Sequence, residues 1–143
     1  MTGVFESGSA EETEAIAARF AKELSPGDVI RLEGELGAGK TAFVRGLAAG
    51  LGVRGRVASP TFCIVREHPG ALPLIHLDLY RLHGPEDLDG IGWEEYLASG
   101  AVIAVEWPER AGDLIPADAC RVVISANGGD DRRTIEISRP RGT

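Results

Sequence analysis

Lysine is nearly absent: Lys22 and Lys40 stand against thirteen arginines. Cation chemistry has gone to arginine almost everywhere, so a lysine inside a glycine-rich loop marks a place where a compact ammonium is wanted rather than a planar fork. Aromatics are also few, at 6% of residues, and only two cysteines occur. Cys63 and Cys120 fit no metal-ligand spacing; a disulfide and two reduced core thiols are both open, and reduced thiols are the usual case in a soluble enzyme. No apolar run approaches the ~18 residues of a membrane span, and the N-terminal stretch MTGVFESGSAEE is acidic with no apolar core, so neither a membrane segment nor a secretory leader is expected. That makes the cytoplasm the expected location. A basic excess is missing too. The net charge of −7 disfavours broad binding to nucleic acid or membranes while leaving room for a basic patch or a basic partner.

What is present suits one domain over residues 1–143, with 43% hydrophobic and 26% charged residues. No repeat, linker or low-complexity segment interrupts it. Ser9 to Leu24 reads as a helix: Ala15, Ile16, Phe20 and Leu24 recur at helical spacing, and Ser9 precedes Glu11 and Glu12 as an N-cap with acids in the first turn. Pro26-Gly27-Asp28 breaks the chain. Val29 to Leu32 is the first core strand, a glycine loop follows at once, and Thr41 to Leu51 has helical periodicity through Phe43, Val44, Leu47, Ala48 and Leu51, stopped by Gly52.

Phe62 to Arg66 and Leu74 to Leu79 read as a hairpin around His68-Pro69-Gly70. Pro85 to Leu97 reads as one or two short helices around Gly90 and Gly92. Ala101 to Val105 is an apolar run suited to a strand buried on both faces. Arg121 to Ala126 and Thr134 to Ser138 form a second hairpin about Asn127-Gly128-Gly129-Asp130. The organisation is α/β: a three-layer domain whose mixed sheet carries two antiparallel hairpins. Strand order is left open by these signals.

The segment Gly34-Glu35-Leu36-Gly37-Ala38-Gly39-Lys40-Thr41 meets the pattern G-x-x-x-x-G-K-[ST] in full. Its glycines admit backbone conformations in which successive N–H groups point at phosphate oxygens, the helix that follows adds its positive end, Lys40 can reach the β- and γ-phosphates, and the Thr41 hydroxyl can ligate Mg²⁺. A chance match among 19 glycines is the plain alternative, but the strand before and the helix after supply the context the motif requires, so the domain is expected to be P-loop NTPase-like.

Such a loop needs an acid at the end of a neighbouring buried strand to hold Mg²⁺. Glu106 ends the purer apolar run and takes that role; its plain alternative is an ion pair with a nearby arginine. Asp78, ending Leu74-Ile75-His76-Leu77, is the candidate to orient the attacking water, or else a turn carboxylate. Ser59-Pro60-Thr61 reads equally as a γ-phosphate switch loop and as a proline turn. Trp107 reads as packing, and His76 as a solvent-facing or hydrogen-bonded strand histidine.

GELGAGKT, SPTF, HLDLYRL and VEWPER, in this order and at these intervals, resemble the bacterial TsaE (YjeE) ATPases, from about Ser9 to Arg133. The resemblance implies a weak, partner-dependent Mg²⁺-ATPase acting in the formation of threonylcarbamoyladenosine at position 37 of tRNAs that read codons beginning with A. Leu36, Gly37, Ala38, Gly39, Lys40 and Thr41 would bind phosphates, Thr41 and Glu106 would hold magnesium, and Asp78, Lys40 and Glu106 would serve catalysis. Ser9 and Thr13 match the family's polar N-terminal segment near the base, and Arg132 sits where members place a basic residue near the nucleotide. The partners implied are the TsaD and TsaB proteins, whose complex the ATPase cycle would activate or reset, with tRNA met through that complex. Ala42 departs from the second threonine found in many members.

Other functional classes fit less well. A small-molecule kinase wants an arginine-rich lid, to which Arg54 and Arg56 are the nearest approach. A GTPase wants an Asn-Lys-x-Asp motif, which the sequence lacks. A nucleotide-gated binding module would differ from an ATPase only in rate.

Overall fold

The computed structural model describes residues 2–35, 39–53, 65–82, 85–126 and 131–139. The elements run β1 (Gly3–Ser7), α1 (Ala10–Ala21), β2 (Val29–Glu33), α2 (Lys40–Gly50), β3 (Val65–His68), β4 (Leu74–Asp78), a 3-10 helix (Pro85–Ile91), α3 (Trp93–Ala98), β5 (Val102–Glu106), a second 3-10 helix (Pro108–Leu114), β6 (Cys120–Ala126) and β7 (Arg133–Ser138).

The seven strands form one sheet in the order β1-β7-β6-β2-β5-β4-β3. The inner strands are parallel: β2 lies between β5 and β6, and β4 joins β5 from the other side. Antiparallel pairs sit at both margins, β3 on β4 and β7 on β6. These are the two hairpins expected from the sequence, except that His68, expected in the first turn, is the last residue of β3 and pairs with Leu74. β1, which the sequence reading did not foresee, adds antiparallel to β7 as an edge strand. Its five residues, GVFES, hold little apolar signal, and a long-range pairing with the chain's last strand organises them.

Alternation along the strands sorts the core into two layers. Ile30, Leu32, Leu74, Val102, Ala104, Val122 and Ile124 face α1 and α2, while Val29, Ile75, Leu77, Ile103 and Val105 face α3 and the 3-10 segments through Leu88, Trp93 and Ala111. All five residues of β5 are buried, as a strand covered on both faces requires.

Helix α1 buries Thr13, Ile16, Ala17, Phe20 and Ala21. Ala17, rather than the expected Ala15, completes the stripe; Ala15 is exposed. The first turn is closed by Ser9, whose Oγ accepts from Glu12 N at 3.1 Å, while Glu12 reaches back to Gly8 N at 2.8 Å. Helix α2 and its C-cap Leu51 bury the five apolar residues read from the periodicity. It lies against α1 nearly backbone to backbone. A Cβ built on Gly46 would fall 2.2 Å from the Glu14 carbonyl oxygen, and one on Gly50 would fall 2.6 Å from that of Ala18. Phe20 and Phe43 close the gap beside them, with ring centroids 6.2 Å apart.

Candidate nucleotide site

Two registers set the site. Leu32 pairs with Glu106 across β2 and β5, and Asp78 pairs with Glu106 across β4 and β5. Asp78, Glu106 and the start of the glycine loop therefore stand in a row at the carboxyl ends of three adjacent parallel strands. Open α/β sheets bind their ligands there.

Gly39 caps α2 in the left-handed region, at φ 109°. A side chain is strained in that conformation. With Phe43 N bonded to Gly39 O, the amides before it in the first turn are those a helix leaves without an intrahelical acceptor. Thr41, partly buried, stands in this turn. A Cβ on Gly39 would lie 3.7 Å from Arg133 Nε, so the guanidinium of the first β7 residue rests beside the loop.

Lys40 is 5% exposed. Its Nζ donates to Gly34 O at 2.7 Å, lies 3.6 Å from Glu106 Oε1 and stands 4.8 Å from the centroid of the Trp107 ring. Glu106 turns its other oxygen to His76, with Oε2 and Nε2 2.5 Å apart. Burial pushes the Glu106 carboxyl up, but the hydrogen bond and charge of His76, joined by Lys40, outweigh it and hold the acid below its ordinary 4.5. Glu106 is thus ionised at neutral pH although buried. The alternative of an ion pair with an arginine is replaced by an ion pair with a lysine and a hydrogen bond with a histidine. His76 is 1% exposed, which settles its two open readings in favour of the hydrogen-bonded one.

Asp78, half-buried, accepts from Tyr80 N at 3.0 Å through Oδ1, a turn contact that orients the carboxylate without occupying its second oxygen in that bond. Tyr80 packs its ring against Trp107, centroids 4.9 Å apart. Trp107 is the one non-glycine residue with positive φ among the described residues, at 57°. Backbone strain of that kind collects at functional sites. Beside these groups lies a cleft of ≈ 410 Å³, lined among others by Glu33, Gly34, Glu35, Lys40, Trp107 and Val123.

The structure thus brings Gly39, Lys40, Asp78 and Glu106 together, with Thr41 one residue further along α2. Ser9 and Thr13 are engaged at the start of α1: Ser7 Oγ donates to Ser9 O and lies 2.7 Å from Thr13 Oγ1, and Thr13 is 1% exposed. Arg132 is exposed, and its carbonyl accepts from Arg133 Nη1. Leu36, Gly37 and Ala38 lie outside the described residues, as do Ser59-Pro60-Thr61, Arg54, Arg56, Cys63 and the turn at 127–130. Two participants went unforeseen. His76 shares the phase of Asp78 along β4, two residues away, a signal that could have placed both on the same face. Arg133 could be told from Arg132 only by the strand's facing.

The family model described as "Threonylcarbamoyl adenosine biosynthesis protein TsaE" matches residues 7–135. The chain belongs to the TsaE family. Among its curated relatives, the tRNA threonylcarbamoyladenosine biosynthesis protein TsaE of Bacillus subtilis is 44% identical over 85% of this chain and 77% of that protein. The TsaE of Streptomyces coelicolor is 48% identical over 78% of each chain. The crystal structure of YdiB from Bacillus subtilis superposes with a TM-score of 0.81 at 37% identity, covering 97% of this chain and 86% of that one. The strand–loop–helix unit and the acids beside it therefore stand in a TsaE fold. Among the described residues no helix is long and apolar enough to cross a membrane.

Proposed function

We propose that this chain is the Mg²⁺-dependent ATPase of the machinery that forms threonylcarbamoyladenosine on tRNA, and that its ATP cycle activates or resets a TsaB–TsaD complex. The observation that carries the ATPase reading is the buried Lys40–Glu106 pair at the start of α2, with Asp78 in register beside it. A lysine and a carboxylate are held at the carboxyl edge of a parallel sheet, where a helix offers unpaired amides.

The donor set suits magnesium. Among the described residues no group of three or more His, Cys, Asp and Glu side chains is arranged to hold a metal ion by itself. A site with one or two carboxylates, a hydroxyl and substrate phosphates is how Mg²⁺ is commonly held. Glu106 and Thr41 would hold it, and when bound it neutralises charge on the β- and γ-phosphate oxygens. Lys40 exchanges its Gly34 carbonyl for phosphate oxygens, and Leu36, Gly37, Ala38 and Gly39 are the residues proposed to bind phosphate with it. Asp78 orients the water that attacks the γ-phosphorus, with ADP leaving. Arg133, beside Gly39, adds positive charge from β7, with Arg132 next to it in the chain. Ser9 stands on the base side, its carbonyl held by Ser7, which Thr13 in turn orients.

The partner step is tested by co-purification of the full chain with TsaB and TsaD, with and without ATP. Association that depends on ATP is expected. Failure to associate in either condition, together with phosphorylation of a small metabolite, contradicts the proposal and favours a kinase.

A further inference from the structure

His76 is a buried polar residue that the chemistry above leaves without a task. It sits in the middle of β4 with Arg66 of β3 and Ala104 of β5 directly opposite. Its Nε2 is 2.5 Å from Glu106 Oε2, and its Nδ1 has no hydrogen-bond partner among the described residues. An ionised carboxylate can only accept, so the hydrogen of this bond belongs to Nε2. Glu106 therefore has one oxygen tied to β4 and one turned toward Lys40. Untied, the carboxylate could rotate about its last torsion and offer both oxygens to Lys40. The lysine would then be drawn from the phosphates and the carboxylate from the metal.

We infer that His76 is a positioning residue: its Nε2–H fixes Glu106 so that a single oxygen faces the phosphate side of the site. The inference rests on the nucleotide reading above. Buried groups that orient a metal ligand typically change metal affinity by about 10–100-fold when removed.

The test is Mn²⁺ titrated into full-length protein saturated with ADP, followed by electron paramagnetic resonance, with ADP affinity measured separately in excess chelator. His76→Leu is expected to weaken Mn²⁺ at least about ten-fold while ADP affinity without metal moves less than about two-fold. His76→Gln, which can present an amide N–H at similar reach, is expected to recover most of the loss. Mn²⁺ affinity unchanged in His76→Leu, or metal and ADP affinity falling together, would overturn the inference. Nitrogen-15 correlation spectra of the ligand-free wild type decide the hydrogen bond even where a variant does not fold. The Nε2–H form is expected, with a resonance that moves in Glu106→Gln; an Nδ1–H form overturns the inference. Wild-type protein that takes up no ADP at all would instead overturn the nucleotide reading, whatever the spectra show.

Discussion

Lys40 Nζ and Glu106 Oε1 lie 3.6 Å apart, the residues 5% and 6% exposed, where α2 begins and β5 ends. Two opposite charges at that depth are tolerated because each has a further partner, Gly34 O for the lysine and His76 for the carboxylate. Removing one member of such a group strands the other in a low-dielectric setting. Substitutions here therefore act on stability as well as on ligand binding, and the two must be measured separately.

Glu106 gives stability a pH dependence of definite sign. Its folded-state pKa is held below 4.5, so the folded protein releases this proton more readily than the unfolded chain does. The contribution is complete above about 4.5 and is lost as pH falls through the lower folded value. The difference in urea midpoint between wild type and Glu106→Gln is expected to be largest near neutral pH and to shrink on the acid side of 4.5. A difference that grows on acidification would contradict the assigned ionisation.

Glu106→Ala is expected to depress Mg²⁺-dependent ATP hydrolysis by about ten-fold or more, with a smaller loss of nucleotide affinity. Asp78→Asn should leave nucleotide and metal affinity near wild type and reduce turnover. Steady-state hydrolysis beside equilibrium binding separates the two. Normal turnover in Glu106→Ala would move the metal role to Asp78.

Gly46 sets the distance between α1 and α2. A methyl group there meets the Glu14 carbonyl at 2.2 Å, and backbone cannot yield as a flexible side chain can. Gly46→Ala is expected to destabilise the fold by about 1–3 kcal/mol or more through overpacking. Gly8→Ala, whose nearest neighbour is the flexible Glu12 carboxylate at 3.5 Å, should cost much less. Thermal unfolding of both variants checks the contrast; equal losses would show that the helices can part freely.

Much of the fold could be read from the chain because local pattern and tertiary burial agree. Phe43, Val44, Leu47, Ala48 and Leu51 are spaced as a helix face and are all buried, and Val102 to Val105 forms a strand with no polar side. The strand before the glycine loop and the helix after it were legible because the motif demands both flanking elements. Strand β1 was not, since GVFES gains its conformation from β7, more than a hundred residues away. Alanine carries little facing information, which is why Ala15 was expected inside where Ala17 lies. His76 among Leu74, Ile75 and Leu77 could face either way until β5 placed Glu106 beside it. Adjacent strand residues point to opposite faces, so the choice between Arg132 and Arg133 depends on register, which arises from pairing rather than from composition.

The role proposed for Lys40 and the start of α2 is to hold the phosphates of ATP. Calorimetric titration of ATP into wild type and Lys40→Ala, with Mg²⁺ and with chelator, tests it most directly. One site per wild-type chain is expected, strengthened by Mg²⁺, with a loss of affinity of at least about ten-fold in folded Lys40→Ala, as befits a charged hydrogen-bond donor taken from a phosphate. Undiminished ATP affinity in the folded variant would contradict it.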